Sequence, residues 1–146
     1  MAAEEILPDI ASTNVEIVRR MYEDWARGDF RDRHGVFAED VVFVSDFATD
    51  RATARGLDAM NALWAEQLHH WTDFRTGTIH ELRDLGDTVL VINSLHATGH
   101  RSGVAVEIAN AAALFRFFDK RIRWLLATDE AEKAERALAD REWARS

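Results

Sequence analysis

Apolar residues recur at helical spacing in the first part of the chain and near alternate positions in the second. In "TNVEIVRRMYEDWARGD", Val15, Val18, Met21, Tyr22 and Trp25 fall on one face of a helix. Thr13 followed by Glu16 has the spacing of a capping box, in which each side chain satisfies the other's free backbone N–H. Gly28 ends this helix as a left-handed cap, and Asp29 is placed to cap a short second helix over "FRDRHGVF". "DVVFVSDF" (40–47) predicts the first strand and "ATDRATAR" (48–55) a polar loop. "GLDAMNALWAEQLHH" predicts a second amphipathic helix, with Leu57, Met60, Leu63, Trp64, Gln67 and Leu68 near one face.

From Trp71 the pattern is that of strands. "WTDFRTGTIHEL" carries Gly77 in mid-strand, which predicts a bulge. Turns at 84–87, 99–103 and 119–121 separate "TVLVINSLHAT", "VAVEIANAAALFRFF" and "IRWLLAT". Strands in such quick succession predict a strongly curved antiparallel meander. A last helix follows, with Asp129 as its cap and Glu132 three residues on; "AEKAERALADREW" offers Glu/Lys/Arg pairs along it. The order is helix, short helix, strand, helix, four strands, helix. This is an α+β chain: a curved antiparallel sheet with helices on one face, wrapped into a cone that suits a small molecule.

The chain has 146 residues, 47% of them hydrophobic and 30% charged, which fits one domain with a real core. Residues 1–11 read as a flexible leader and 12–146 as the domain. Five Trp and eight Phe need a core, a pocket or an interface to cover them. A net charge of −8 disfavours nucleic acid and anionic membranes as partners. The absence of Cys removes disulfides, thiolate metal sites and Cys nucleophiles and fits a reducing compartment. With no apolar run of membrane-spanning length and an acidic "MAAEEILPDI" start, a cytoplasmic location is expected.

Candidate chemistry is sparse. There is no GxGxxG, GxxxxGK[ST] or GxSxG motif. His69 and His70 are adjacent and diverge on either kind of element, and no HxxxH or HxH spacing occurs, so no metal is expected. Strand parity separates Val91, Asn93 and Leu95 from Ile92, Ser94, His96 and Thr98. Trp25, Phe43, Trp64, Phe74, Phe115 and Trp124 are expected to face the interior, some of them as walls of a pocket. Trp143 is expected to pack against the body or a partner. In "NAAALFRF" (110–117), Ala111, Ala112 and Ala113 either open a cavity or allow close packing.

Four stretches, "ARGDF", "VFAEDVVFV", "ELRDLGDTVLV" and "ALFRFFDKRIRWLLATDEAEKAERAL", give the chain a resemblance to SnoaL-like members of the nuclear-transport-factor-like superfamily, over roughly residues 14–138. The resemblance implies a cystatin-like α+β barrel fold. It departs at the turn before the last strand, where Lys120 stands in place of the family's usual Gly and suggests another turn type. The superfamily includes ketosteroid isomerases, polyketide cyclases, epoxide hydrolases, scytalone-type dehydratases and non-catalytic domains.

Carried over by position, the isomerase's tyrosine falls on Met21, its base on Ser45 and its protonated acid on Ala113. The epoxide-hydrolase residues fall on Asn93, Leu95 and Leu126, and the dehydratase's two His and an Asn lie roughly in the order of His70, His96 and Asn110. None of these positions keeps its chemistry in register. What the resemblance implies is a cofactor-independent isomerase, cyclase or dehydratase acting by proton transfer on an apolar, carbonyl-bearing ring compound. Asp46, one residue beyond Ser45, is the expected base if the register shifts. Asn93 or His96 would polarise the carbonyl. Met21, Trp25, Phe43, Trp64, Phe74, Ala113, Phe115 and Trp124 would contact the substrate. The alternative is a ligand-binding or dimerisation domain without catalysis. A homodimer packed through the outer face of the sheet is expected in either case.

Overall fold

The computed structural model describes residues 13–32 and 34–145, so the expected leader over 1–11 lies outside the described residues. Helix α1 (Asn14–Ala26) starts on the capping box: the Glu16 N–H donates to Thr13 Oγ1 at 3.1 Å and the Thr13 N–H to Glu16 Oε1 at 3.3 Å. Gly28 leaves the helix with a φ of 79°. The short helix expected over 30–37 does not form. Asp29 accepts from the Arg31 N–H, and Asp32 accepts from the N–H groups of Val36 and Phe37 at 2.8 and 3.3 Å. Carboxylates that satisfy nearby backbone in this way hold a turn against helix formation.

Strand β1 (Phe37–Phe47) begins three residues earlier than the hydrophobic run suggests. The polar segment expected as a loop contains β2 (Asp50–Arg55), an edge strand antiparallel to β1. Its alternation is hidden because five of its six positions are exposed. Helix α2 (Leu57–His69) follows. Then come β3 (Trp71–Asp84), β4 (Thr88–Gly99), β5 (Ala105–Phe118) and β6 (Arg121–Thr128), and last α3 (Ala131–Ala139) with a 3-10 turn at Glu142–Arg145.

The sheet order is β2-β1-β6-β5-β4-β3. All neighbours are antiparallel except β1 and β6, which run parallel, so the sheet is mixed where an antiparallel one was expected. It is curved and unclosed, with β2 and β3 at its edges. The bulge expected at Gly77 is present, with the register shifting between Thr76 and Ile79. A Cβ at Gly77 would overlap Ser94 Oγ, which itself accepts the Thr78 N–H at 2.9 Å. At the β5–β6 turn Asp119 and Lys120 have φ values of 52° and 65°. The left-handed pair of a type I′ turn is thus kept without glycine, against the expectation of another type.

Both faces of the sheet carry a core. The cross-strand row Phe43, Leu125, Phe115 and Val89 faces α1 and α2, and the next row, Val44, Leu126, Leu114 and Leu90, faces α3. Helices therefore cover both faces, where one was expected. Asp129 does not cap α3. Its carboxylate accepts the Ala48 N–H at 2.9 Å, and the helix begins after Glu130, whose N–H donates to Thr128 Oγ1. Trp143 packs edge-on to Trp124 with ring centroids 6.2 Å apart, and the Arg116 guanidinium lies over it.

Candidate functional site

The concave side of the sheet, closed by α1 and α2, holds three cavities. The largest, about 440 Å³, is lined by Ser45, Trp64, Gln67, Trp71 and Phe74 among others, with Arg51 and His70 exposed at its edge. This size lies in the range of small-molecule sites. Within it Gln67 Nε2 donates to Ser45 Oγ at 2.5 Å, tying α2 to β1. A second cavity of about 50 Å³ lies among Trp25, Phe30, Phe43, Met60, Trp64 and Ala113. A third of about 30 Å³ is bounded by Tyr22, Trp64, Phe74, Thr76, Asn93 and Ala111. Trp64 borders all three, and Phe47 and Phe74 border the first and third. These rings are the wall between the outer chamber and the innermost one. Trp64 makes ring contacts with Trp25, Phe30, Phe43 and Phe74 at centroid distances of 5.4 to 6.4 Å.

The alanines of "NAAALFRF" divide by parity. Ala111 and Ala113 line the concave side, where aromatic rings occupy most of the space beside them. Ala112 faces α3 in the same core as Ala134 and Ala137, where small residues permit close approach of helix and sheet. On the concave side the alanines border only the two small cavities, and on the other side they permit close packing.

The innermost cavity carries neutral polar groups. Asn93 is 2% exposed. Its Oδ1 accepts from the Tyr22 hydroxyl at 3.5 Å and its Nδ2 donates to the Ser94 carbonyl at 2.8 Å. Burial pushes the Tyr22 phenol well above its ordinary value, so it stays protonated across the physiological range. A bond as long as 3.5 Å leaves the hydroxyl easily redirected toward a better acceptor. Thr76, 5% exposed, has a hydroxyl without a hydrogen-bond partner among the described residues.

Several residues named from the sequence lie elsewhere. The register shift that would turn Asp46 into the cone does not occur. Ser45 points inward, and the Asp46 carboxylate meets Lys133 Nζ at 3.2 Å and Arg51 at 3.0 Å on the α3 side. His96 borders none of the three cavities, and its ring lies between Glu107 (2.5 Å) and Asp73 (3.2 Å). Trp124 shares a cross-strand row with Val42 and Arg116 on the outer face, so its expected inward position is corrected. Met21 is buried in the core but borders none of the cavities. Phe115 is fully buried behind Tyr22 and Trp25, holding both rings at 6.2 Å. Trp25, Phe43, Trp64, Phe74, Asn93 and Ala113 do line the cone.

Tyr22, Thr76 and the Ser45–Gln67 pair were not among the expected catalytic or substrate-contacting residues. Tyr22 sits one position from Met21 on the same helix face, and its being the chain's only tyrosine was the available signal. Thr76 lies beside the bulge that resets strand parity, and no pattern in the sequence reveals it. Among the described residues no group of three or more His, Cys, Asp or Glu is arranged to hold a metal ion, and no helix is long and apolar enough to cross a membrane.

A curved mixed sheet with a helix-closed, aromatic-lined cone defines a cystatin-like α+β protein. The chain belongs to the family of SnoaL-like domains, whose model matches residues 18–125. It is similar to an NTF2-like protein of unknown function from Burkholderia pseudomallei, at a TM-score of 0.69 and 20% identity over 86% of this chain and 96% of that one. A protein of unknown function with a cystatin-like fold from Xanthomonas campestris gives a TM-score of 0.67 at 15% identity, over 79% of this chain and 88% of that one. A protein with a ketosteroid isomerase-like fold from Catenulispora acidiphila, in complex with trimethylamine, gives 0.63 at 18% identity, over 77% and 83%. No curated protein matches the chain.

Proposed function

We propose that the cone binds a mostly apolar ring compound bearing a carbonyl group, with the ring body in the 440 Å³ chamber and the carbonyl directed at Tyr22 and Asn93. The observation that carries this reading is a buried pair of neutral polar side chains in a small cavity directly behind the aromatic wall of that chamber. Apolar walls supply affinity and a few placed polar groups supply orientation. Reaching the pair requires a ring of the shared wall, Trp64 or Phe74, to turn.

A second reading adds chemistry: a cofactor-independent isomerase, cyclase or dehydratase that moves protons at carbon beside the bound carbonyl. A phenol kept neutral by burial is a donor of the kind that stabilises an enolate oxygen. Asp50, Glu66 and His70 line the outer chamber and are the ionisable candidates for a base there.

The test uses 2-tetralone, its hydrocarbon tetralin and tetralin-2-carboxylate. Saturable quenching of tryptophan fluorescence is the expected result, since Trp25, Trp64 and Trp71 line the cone. The absence of binding by all three compounds overturns the binding reading. Deuterium exchange beside the tetralone carbonyl, faster than in buffer and lost in Tyr22→Phe, supports catalysis; binding without exchange leaves a binding protein.

A further inference from the structure

The ligand's polar end is specified further by Thr76. Tyrosine and tryptophan aside, five polar side chains of the described residues are buried: Ser45, Thr76, Thr88, Asn93 and Thr128. Four of them have partners. Ser45 accepts from Gln67, Thr88 from Arg116, Asn93 from Tyr22, and Thr128 from the Glu130 N–H. Thr76 Oγ1 alone among them has none, and it borders the same 30 Å³ cavity as Tyr22 and Asn93. A buried hydroxyl left unbonded is costly, and a valine of the same shape would avoid that cost. The cavity beside it has room for about one oxygen-sized group.

No residue bordering that cavity is charged. A carboxylate entering it would be stripped of water with no opposite charge to receive it, whereas a ketone, phenol or alcohol oxygen loses little and gains hydroxyl partners.

Resting on the cone as the ligand site, we infer that Thr76 is a specificity-determining residue whose hydroxyl engages an uncharged ligand oxygen beside Tyr22, selecting ketones, phenols or alcohols over carboxylic acids of the same shape. Tyr22 and Thr76 both donate to a carbonyl oxygen. A ligand hydroxyl can instead donate to Thr76 Oγ1.

The experiment measures dissociation constants of tetralin, 2-tetralone and tetralin-2-carboxylate for the full chain, Thr76→Val and Thr76→Ser, by tryptophan fluorescence, together with ligand-free melting temperatures. In the unaltered protein 2-tetralone is expected to bind about tenfold more tightly than tetralin, as two modest buried hydrogen bonds allow, and more tightly still than the carboxylate. Thr76→Val is expected to lower the tetralone-to-tetralin ratio about threefold, the remainder being the Tyr22 bond, while raising the ligand-free melting temperature, since the unpaired hydroxyl is gone. Thr76→Ser restores the ratio.

An unchanged ratio in Thr76→Val overturns the assignment. With a lowered melting temperature, that result marks a hydroxyl held by a permanent internal water. Equal binding of tetralin and tetralone to the unaltered protein leaves the cone a ligand site and overturns the role of Thr76. Carboxylate binding as tight as ketone binding overturns the selection for uncharged oxygen. Failure of all three compounds to bind overturns the reading of the cone, and this inference with it.

Discussion

The Asp46 carboxylate lies 3.2 Å from the Lys133 ammonium, on the side of the sheet away from the cone. Burial alone would pull the lysine's affinity for its proton down, but the hydrogen bond to Asp46 and the charge of Asp129 outweigh it, and the net shift is upward. Arg51 joins the same cluster through Asp46 and Glu142. The cluster fastens the β1–β2 hairpin to α3 and to the closing 3-10 turn.

Asp46→Asn is therefore expected to cost about 1 kcal/mol of stability, the scale of a partly buried charged hydrogen bond. Ligand binding in the cone and any deuterium exchange on 2-tetralone should be unchanged. Urea unfolding and the fluorescence titration check the two halves separately. Lost exchange with intact binding would return Asp46 to the mechanism.

Tyr22 offers a direct test of the dry end of the cone, because the chain has one tyrosine. Burial raises its folded-state value above the ordinary 10.0. The unfolded chain then loses the phenolic proton first, so the stability tied to this group is complete below about pH 10 and falls as the pH rises beyond it. Phenolate absorbance should appear near pH 10 in urea and be absent there in the native protein. A native titration near 10 would place the phenol in water.

Gly77→Ala would drive a methyl group into the Ser94 hydroxyl. A cost of about 1–3 kcal/mol is expected, as for overpacking. Ser94→Ala removes the obstructing oxygen together with its bond to the Thr78 N–H, an exposed donor that water can satisfy. The double variant should recover part of the loss, a coupling that a double-mutant cycle in denaturant measures.

Lys120→Gly is expected to stabilise the fold. Lys120 and Asp119 both hold positive φ in the β5–β6 turn, and an L-residue in that region costs about 1–2 kcal/mol relative to glycine. A rise of a few degrees in melting temperature is the expected readout.

A homodimer packed through the outer face of the sheet would have to use the part that α3 leaves bare. Apolar positions of that face such as Leu114 and Leu126 are taken up by α3. Beyond the helix the face carries Ser94 and the ion-paired His96, Glu107 and Asp73. A dimer built on such a surface should weaken as salt rises. Sedimentation equilibrium at low and high salt tests it. A single species of monomer mass at both removes the expectation.

Long periodic runs carried most of the fold in the sequence. The capping box at Thr13, the Gly77 bulge and the strand meander were legible because each depends on neighbouring residues. β2 was hidden because five of its six side chains face water, leaving no alternation to read. The parallel β1–β6 pairing joins residues about 80 positions apart, which no local pattern encodes. For the site, parity put Asn93 and His96 on opposite faces but did not say which of the two faces the cone. Trp124 misled because an apolar strand with a core on each face gives no sign of which side an aromatic prefers. Tyr22 and Thr76 depended on helix rotation and on a bulge, both set by tertiary packing.

The two cores on either side of the sheet have a consequence for how this protein can change. The ion-paired hairpin, the Trp124–Trp143 contact and the close approach of Ala112 to α3 all lie on one side. The residues that line the cone lie on the other, and β5 turns the side chains of Ala111 and Ala113 toward it and that of Ala112 toward the helix. A change of side chain at 111 or 113 alters the two small cavities beside Trp64 while the anchoring side keeps its contacts. Such an arrangement lets the cavity side vary separately from the side that fastens the chain together.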